Sequence, residues 1–216
     1  MNKYFLLYIL LLSVTIRAQI ISGIGAEGGL NYAFQKWNYT TQMDFMKDMD
    51  QHYNFGLFCQ FLNMKYLNIL INLDYDQKGG LDNKTIIADI NSSGELVPGS
   101  TKQGIWDQLD YICITPRIKG KIKLSRIEPF VSLGPSMDFM VNRKSAYLEN
   151  MINNFQTIDI SVSYGIGVGY YFNNNLQGFA EFLHKPSLIN IYSNPNLKIK
   201  NDLMKINVGI LYILNK

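Results

Sequence analysis

A strand-like alternation of unusual length runs from Ile158 to Phe172, with the sequence IDISVSYGIGVGYYF. Because successive side chains of an extended strand point to opposite sides, every second residue shares a face. One face of this stretch carries only apolar and aromatic side chains, whereas the other carries Asp, Ser, Gly and one Tyr. Strands of soluble proteins usually have about 3 to 10 residues. An unbroken alternation of this length, ending in aromatics, is typical of a strand that crosses a membrane.

The amino terminus has the three parts of a secretory signal. Lys3 supplies the basic residue, an apolar run extends from Tyr4 to Leu12, and Ala18 is a small residue suited to cleavage. The apolar run is too short to span a bilayer as a helix. We therefore expect residues 1–18 to be a cleaved signal peptide and residues 19–216 to form one mature domain.

Charge and composition exclude several functional classes. The formal net charge of the whole chain is +3, and loss of Lys3 and Arg17 with the signal leaves +1. This small charge gives no basis for nucleic-acid binding. Cys59 and Cys113 have no metal-ligand spacing around them, which favours half-buried thiols over a disulfide or a metal pair. The glycine-rich phrase at 165–169 lacks the helix of a nucleotide loop, so we expect no cofactor and no metal.

The mature sequence favours a closed barrel. It contains no apolar run long enough for a membrane helix, and a barrel is then the structure that leaves no backbone group unpaired in lipid. The predicted fold class is all-β: an eight-stranded antiparallel up-and-down transmembrane β-barrel. The predicted strands cover about residues 20–34, 53–62, 66–76, 105–119, 131–141, 158–172, 176–185 and 203–214.

The connections between these strands alternate between long and short. Transmembrane barrels have this asymmetry, with short periplasmic turns and longer loops on the outer surface. The long loops at 35–52 and 79–104 are candidate binding surfaces for extracellular ligands. A bulge is expected near Pro116, because a proline inside a strand cannot donate a hydrogen bond to the ladder.

The two faces of the strands predict what lies inside and outside. The bulky apolar face is placed toward lipid, and the face with glycine, serine and charged residues is placed inside. A soluble barrel that encloses a ligand would have the inverse pattern. Eight strands leave room only for the barrel's own side chains, so we expect a plugged lumen. The inward residues predicted to form a structural polar network are Glu27, Asp74, Arg117, Lys119, Asp138, Glu181 and Lys205. A transport site is the alternative interpretation.

Several phrases resemble the PorT-type family of bacterial outer-membrane β-barrel proteins. They are LNILINLDYDQKG, YICITPRIKGKI, RIEPFVSLGPSMDFM, DISVSYGIGVGYYF, FAEFLHKPSLINIY and the terminal INVGILYIL. Glu181 stands at the position of the family's lumenal acid. The resemblance implies a barrel in the outer membrane of a Gram-negative bacterium. It also implies a non-enzymatic structural or accessory role linked to protein secretion, with secretion-machinery subunits as partners.

Two other functions stay open from the sequence. One is a barrel that binds ligands through its surface loops. The other is an outer-membrane lipid-modifying enzyme that uses His184 with Glu181 and Ser187. Glu181 and His184 are an odd number of residues apart, however, so in a regular strand they face opposite ways and cannot orient one another. We therefore expect no catalytic residue, and a monomer surrounded by outer-membrane lipid.

Overall fold

The computed structural model describes residues 21–39, 44–46, 48–62, 64–87, 102–145, 155–192 and 196–214. These ranges contain nine strands: β1 (Ile21–Tyr39), β2 (Asp44–Met46), β3 (Asp50–Phe61), β4 (Leu67–Ile87), β5 (Lys102–Lys121), β6 (Ile127–Ser145), β7 (Ile158–Tyr171), β8 (Leu176–Pro186) and β9 (Leu197–Ile213). In this part of the chain, no helix is long and apolar enough to cross a membrane.

Eight of these strands form a closed ring. From β3 to β9 each strand pairs antiparallel with the next, β1 pairs with β3, and β9 pairs back with β1 from Gly23 to Tyr39. The three-residue β2 pairs with the end of β1. The predicted eight-stranded antiparallel barrel is confirmed.

The strands are strongly staggered around the ring. Following directly paired residues from Tyr170 on β7 through every other barrel strand leads back to β7 at Ile160, ten residues before the starting point. A stagger of this kind tilts the strands relative to the barrel axis. Side chains from neighbouring strands therefore meet inside the barrel along a spiral.

Burial alternates along the strands as the sequence pattern requires. The outward face is apolar and open, and Val131, Ile166 and Val208 each expose more than 60% of their surface. The inward face is buried although much of it is polar. A closed ring satisfies the backbone of the barrel strands internally, which is the condition for crossing lipid. The exposed apolar belt and the closed ring together make this a membrane-spanning barrel.

The predicted outer loops are too long, because the strands continue past the apolar belt. β1 extends to Tyr39, and Trp37, which was expected in a polar loop, is buried. The candidate binding surface at 35–52 is therefore mostly strand. The one at 79–104 begins inside β4 and ends inside β5. Backbone pairing does not require lipid, so strands persist where both faces become polar and the alternation disappears. The tips at 40–43 and 88–101 lie outside the described residues.

The expected bulge near Pro116 is wrong. The register of β5 against β6 is the same at Ile114 and at Ile118, on either side of the proline. Pro116 stands opposite Pro135 in this register, so neither strand has an extra residue. A shift in pairing occurs instead between Asp110 and Tyr111.

The barrel interior has three layers. Toward the outer end lies an apolar layer that includes Trp37, Leu109, Tyr111, Phe155, Ile191 and Ile199. Toward the short turns lies a second apolar layer, formed by Phe58, Leu70, Leu211 and Ile213 with Tyr171 and Phe179 packed against them. Charged and amide side chains fill the space between these layers.

Candidate functional site

Arg117 on β5 joins three strands in the middle of the lumen. Its Nη1 lies 2.8 Å from Glu181 Oε2, and its Nη2 lies 3.8 Å from Glu27 Oε2. Its Nε donates to Asn72 Oδ1 at 3.3 Å. Ser132 donates to the other oxygen of Glu181 at 2.6 Å. The five residues are nearly inaccessible, so the guanidinium is held by partners from β1, β4 and β8.

A second group of ion pairs lies next to Arg117. Lys205 Nζ lies 2.7 Å from Asp76 Oδ1 and 3.6 Å from Asp74 Oδ2. Lys185 Nζ bridges Asp76 and Asp138, at 3.1 and 2.9 Å. Each lysine thus contacts two carboxylates, which is the arrangement that makes burial of these charges tolerable.

The network continues toward the outer side through Lys78. Its Nζ lies 2.6 Å from Asp138 Oδ2 and 3.0 Å from Asp159 Oδ2. Asp159 also accepts hydrogen bonds from Ser187 and Asn201. Lys78 in addition lies 4.5 Å from the centre of the Tyr111 ring, which begins the outer apolar layer.

Near the short turns the network ends at Glu128. Lys119 Nζ lies 3.1 Å from Glu128 Oε1, and Lys121 Nζ lies 3.8 Å from Glu128 Oε2. Tyr171 and Gln177 donate to the same carboxylate at 2.5 and 3.1 Å. Both carboxylate oxygens of Glu128 are therefore in contact with a lysine and a hydrogen-bond donor.

All seven lumenal residues predicted from the sequence lie inside the barrel and take part in these ion pairs. The structure adds further charged members to the set: Asp76, Lys78, Glu128, Asp159 and Lys185. Asp76 and Asp159 fall on the inward faces of predicted strands, so the alternation alone was enough to recognise them. Lys78 and Glu128 lie outside the predicted strands, and Lys185 is the last residue of one.

The lumen has almost no free space around Arg117. A cavity of about 10 Å³ borders Glu27, Arg117 and Glu181 and is closed by Phe58 and Phe130. Such a volume holds about one water molecule. The described side chains therefore leave no continuous passage at this level.

A separate polar cluster lies on the outer surface of the barrel, where the apolar belt ends. His184 Nε2 lies 2.5 Å from Asp202 Oδ1, and its Nδ1 lies 2.6 Å from the Tyr164 hydroxyl. Lys36 Nζ lies 2.6 Å from the other oxygen of Asp202. Below these residues the outward positions of β8, β9 and β1 are apolar. The cluster therefore lies at the boundary between lipid and the outer polar region.

The residues considered for a lipid-modifying enzyme do not come together. Glu181 is in the lumen and His184 faces outward, as their odd spacing predicts. Ser187 is buried and donates to Asp159. The acid that contacts His184 is Asp202, a partner that the sequence spacing did not identify.

The periplasmic end has a basic rim. A pocket of about 520 Å³ is lined by Lys65, Lys121, Lys123 and Glu128 together with Tyr171. Lys123 lies 4.0 Å from the centre of the Tyr171 ring. The pocket opens between the β3–β4 and β5–β6 turns, so a partner in the periplasm can reach it.

Metal and thiol sites depend on the grouping of His, Cys, Asp and Glu side chains within the described ranges. No group of three or more His, Cys, Asp or Glu side chains there is arranged to hold a metal ion. Cys59 and Cys113 are free cysteines. Cys113 donates to Asp76 at 3.4 Å and is a member of the lumen packing.

A closed antiparallel ring with an apolar exterior and an ion-paired interior defines a bacterial outer-membrane β-barrel protein. Solved structures share this fold at low identity. OprG from Pseudomonas aeruginosa has a TM-score of 0.49 at 8% identity and covers 92% of this chain and 98% of its own. Neisserial surface protein A has a TM-score of 0.47 at 8% identity and covers 88% and 97%. The outer membrane protease OmpT from Escherichia coli has a TM-score of 0.46 at 11% identity and covers 89% and 97%.

These likenesses concern the fold, and no activity transfers from them to this chain. No family model matches the sequence. No curated protein matches it either. The PorT-type resemblance of the short phrases therefore stays a prediction.

Proposed function

We propose that this protein is a non-conducting, non-enzymatic outer-membrane barrel that acts as an accessory or structural component through its two rims. The observation that carries the proposal is the filled lumen. Ion pairs from Lys78 to Glu128 occupy its length, together with two layers of apolar side chains. A barrel filled in this way offers partners only its ends and its outer wall.

The periplasmic rim supports an accessory role in secretion, as the PorT-type resemblance implies. The pocket around Lys65 and Lys123 is polar, basic and accessible from the periplasm. We propose that a secretion-machinery subunit with an acidic surface docks there. Charge complementarity at a rim raises the association rate and is sensitive to salt.

Affinity purification of a tagged copy from outer membranes in mild detergent tests this role. We expect secretion-machinery subunits to co-purify in stoichiometric amounts. The variant with Lys65→Glu and Lys123→Glu should lose them while the barrel still folds. Lys198→Glu, at an exposed position on the opposite rim, is the matched control and should retain them. A barrel that co-purifies with no secretion-machinery subunit would contradict the secretion role. Equal recovery of such subunits with the unmodified protein and both variants would contradict docking at this pocket.

The second candidate is surface recognition, and the long β4–β5 hairpin favours it. Its two strands stay paired as far out as Ile87 and Lys102, beyond the level of the apolar belt. Replacing residues 83–104 by a short turn should abolish binding to an extracellular ligand or host surface and leave the periplasmic partners bound. If cells with this variant adhere as strongly as cells with the unmodified protein, the hairpin is not the binding surface.

A lipid-modifying enzyme has weaker support. Both ring nitrogens of His184 already have partners, Tyr164 and Asp202. We expect His184→Gln to leave the lipid A of the host unchanged by mass spectrometry. A change in lipid A composition on that substitution would favour the enzyme instead.

A further inference from the structure

Four oxygen atoms in the middle of the lumen accept no hydrogen bond from the protein. They are Glu27 Oε2, Asp74 Oδ1, Asn54 Oδ1 and Asn207 Oδ1. Each of these residues is at least 94% buried. Buried polar atoms in native proteins nearly always have a partner, so a group of four such acceptors points to a ligand that is not protein.

The two carboxylates face each other across a glycine. Gly56 on β3 stands directly opposite Glu27 on β1 and directly opposite Asp74 on β4. All three positions point into the lumen. A methyl group at Gly56 would overlap the carboxylate of Asp74. The absence of a side chain at this position therefore makes room for the Asp74 carboxylate over β3, the strand between those that carry the two acids.

The two amides are arranged in the same way around a second glycine. Gly29 on β1 stands opposite Asn54 on β3 and opposite Asn207 on β9. A methyl group at Gly29 would lie 2.8 Å from Asn207 Oδ1. Gly29 is two residues from Glu27 on the same face of β1. The amide pair therefore lies next to the carboxylate pair along the lumen, and Asn207 contacts Glu27 directly.

The orientation of the two amides is fixed by their nitrogens. Asn207 Nδ2 donates to Glu27 Oε1 at 3.0 Å, and Asn54 Nδ2 donates to Asn31 Oδ1 at 2.7 Å. Turning either amide over would lose these bonds. The carbonyl oxygens are thus the atoms of these two amides that have no hydrogen-bond partner.

The unpartnered oxygen of Glu27 also lacks a close cationic side chain among the described residues. Its ion pair with Arg117 spans 3.8 Å from Nη2 to Oε2, which is beyond hydrogen-bond distance. The negative charge of Glu27 is therefore only weakly compensated at this oxygen.

We propose that Glu27, Asp74, Asn54 and Asn207 bind one small monovalent cation of the Na⁺ type inside the barrel. Hard cations prefer oxygen ligands from carboxylates and amide carbonyls, and this site supplies two of each. A shared proton would satisfy only two of the four oxygens, whereas a metal cation contacts all of them. The site ties the stability of the plugged lumen to the surrounding salt.

Unfolding of the mature barrel in detergent, in different chlorides at equal ionic strength, tests this site. A ligand that binds only the folded state raises the unfolding midpoint with the logarithm of its concentration. We expect the midpoint to rise by several degrees in NaCl over choline chloride. Equal midpoints in the two salts would overturn the proposal, and so would stabilisation by CaCl₂ alone. A midpoint that responds to pH near neutrality but not to Na⁺ would assign the site to a proton and overturn it as well.

Two isosteric variants separate binding from general stability. Glu27→Gln removes one charged ligand and should abolish the difference between NaCl and choline chloride. Glu181→Gln removes a carboxylate that already has protein partners, so it should lower the midpoint in both salts and keep the difference. If both variants keep the difference, or both lose it, the four residues are not the cation site. The salt titration of the unmodified protein stands even if a variant does not refold.

Discussion

At the scale of single residues, the environment of a side chain depends mostly on whether its position in the strand points into the lumen or toward lipid. Arg117 is a charged residue in a sequence of isoleucines, and it is buried because its position points inward. The same parity places Glu27 and Glu181 beside it from β1 and β8. Burial of three charges is tolerated only because they pair, so removal of one leaves the others uncompensated.

We therefore expect Arg117→Met to destabilise the folded barrel by about 3–5 kcal/mol, the usual cost of breaking a buried ion pair. Urea titration of the refolded protein, followed by mobility on unboiled SDS gels, measures this loss. The triple variant with Glu27→Gln and Glu181→Gln added should recover part of the loss, because no unpaired charge stays buried. A triple variant less stable than Arg117→Met would show that the pairing is not the cause.

A lipid-facing position should respond differently. Val208→Arg places a charge on an outward site that is 63% exposed to the surroundings of the barrel. We expect it to destabilise the protein by about 2–4 kcal/mol in lipid vesicles, the cost of Arg near the bilayer midplane. Lys198→Arg, at the outer end of the same strand, should change the unfolding free energy little. Equal effects at the two sites would contradict the assignment of the lipid belt.

At the scale of whole strands, the barrel portion is separable from its outer extensions. Within the apolar belt, neighbouring strands are joined by pairs such as Leu57 with Leu73 and Ile114 with Met137, and the outer extensions contribute none of them. Replacing residues 83–104 by a short turn should therefore leave heat-modifiable mobility on SDS gels intact. Loss of that mobility shift would mean that the extension takes part in folding.

The sequence predicts the number, order and faces of the barrel strands, because lipid imposes a strict alternation on them. It fails at the outer ends, where water lies outside and the outward side chains of a paired strand become polar, as at Lys36 and Asn38. The seven lumenal residues follow from parity alone. Their partners do not, because Lys205 meets Asp76 through the stagger of the ring and not through any spacing along the chain.

At the scale of the whole molecule, the interior decides permeability. The side chains around Arg117 leave a cavity of about 10 Å³, and apolar layers lie on either side. We expect planar bilayers containing the refolded barrel to show no large stable conductance. Large, long-lived conductance steps from the folded protein would contradict the plugged lumen.

Closure of the ring has a consequence for how the protein is made. Glu27 pairs with Gly209, so the first strand must wait for nearly the whole chain before its second neighbour exists. Until then one edge of the first strand presents unpaired backbone groups, which invites aggregation in the periplasm. Contacts at such sequence separation also form slowly. Biogenesis of this barrel therefore depends on holding an incomplete chain soluble until the last strand arrives, and mutations in β9 should act first on yield and only then on stability.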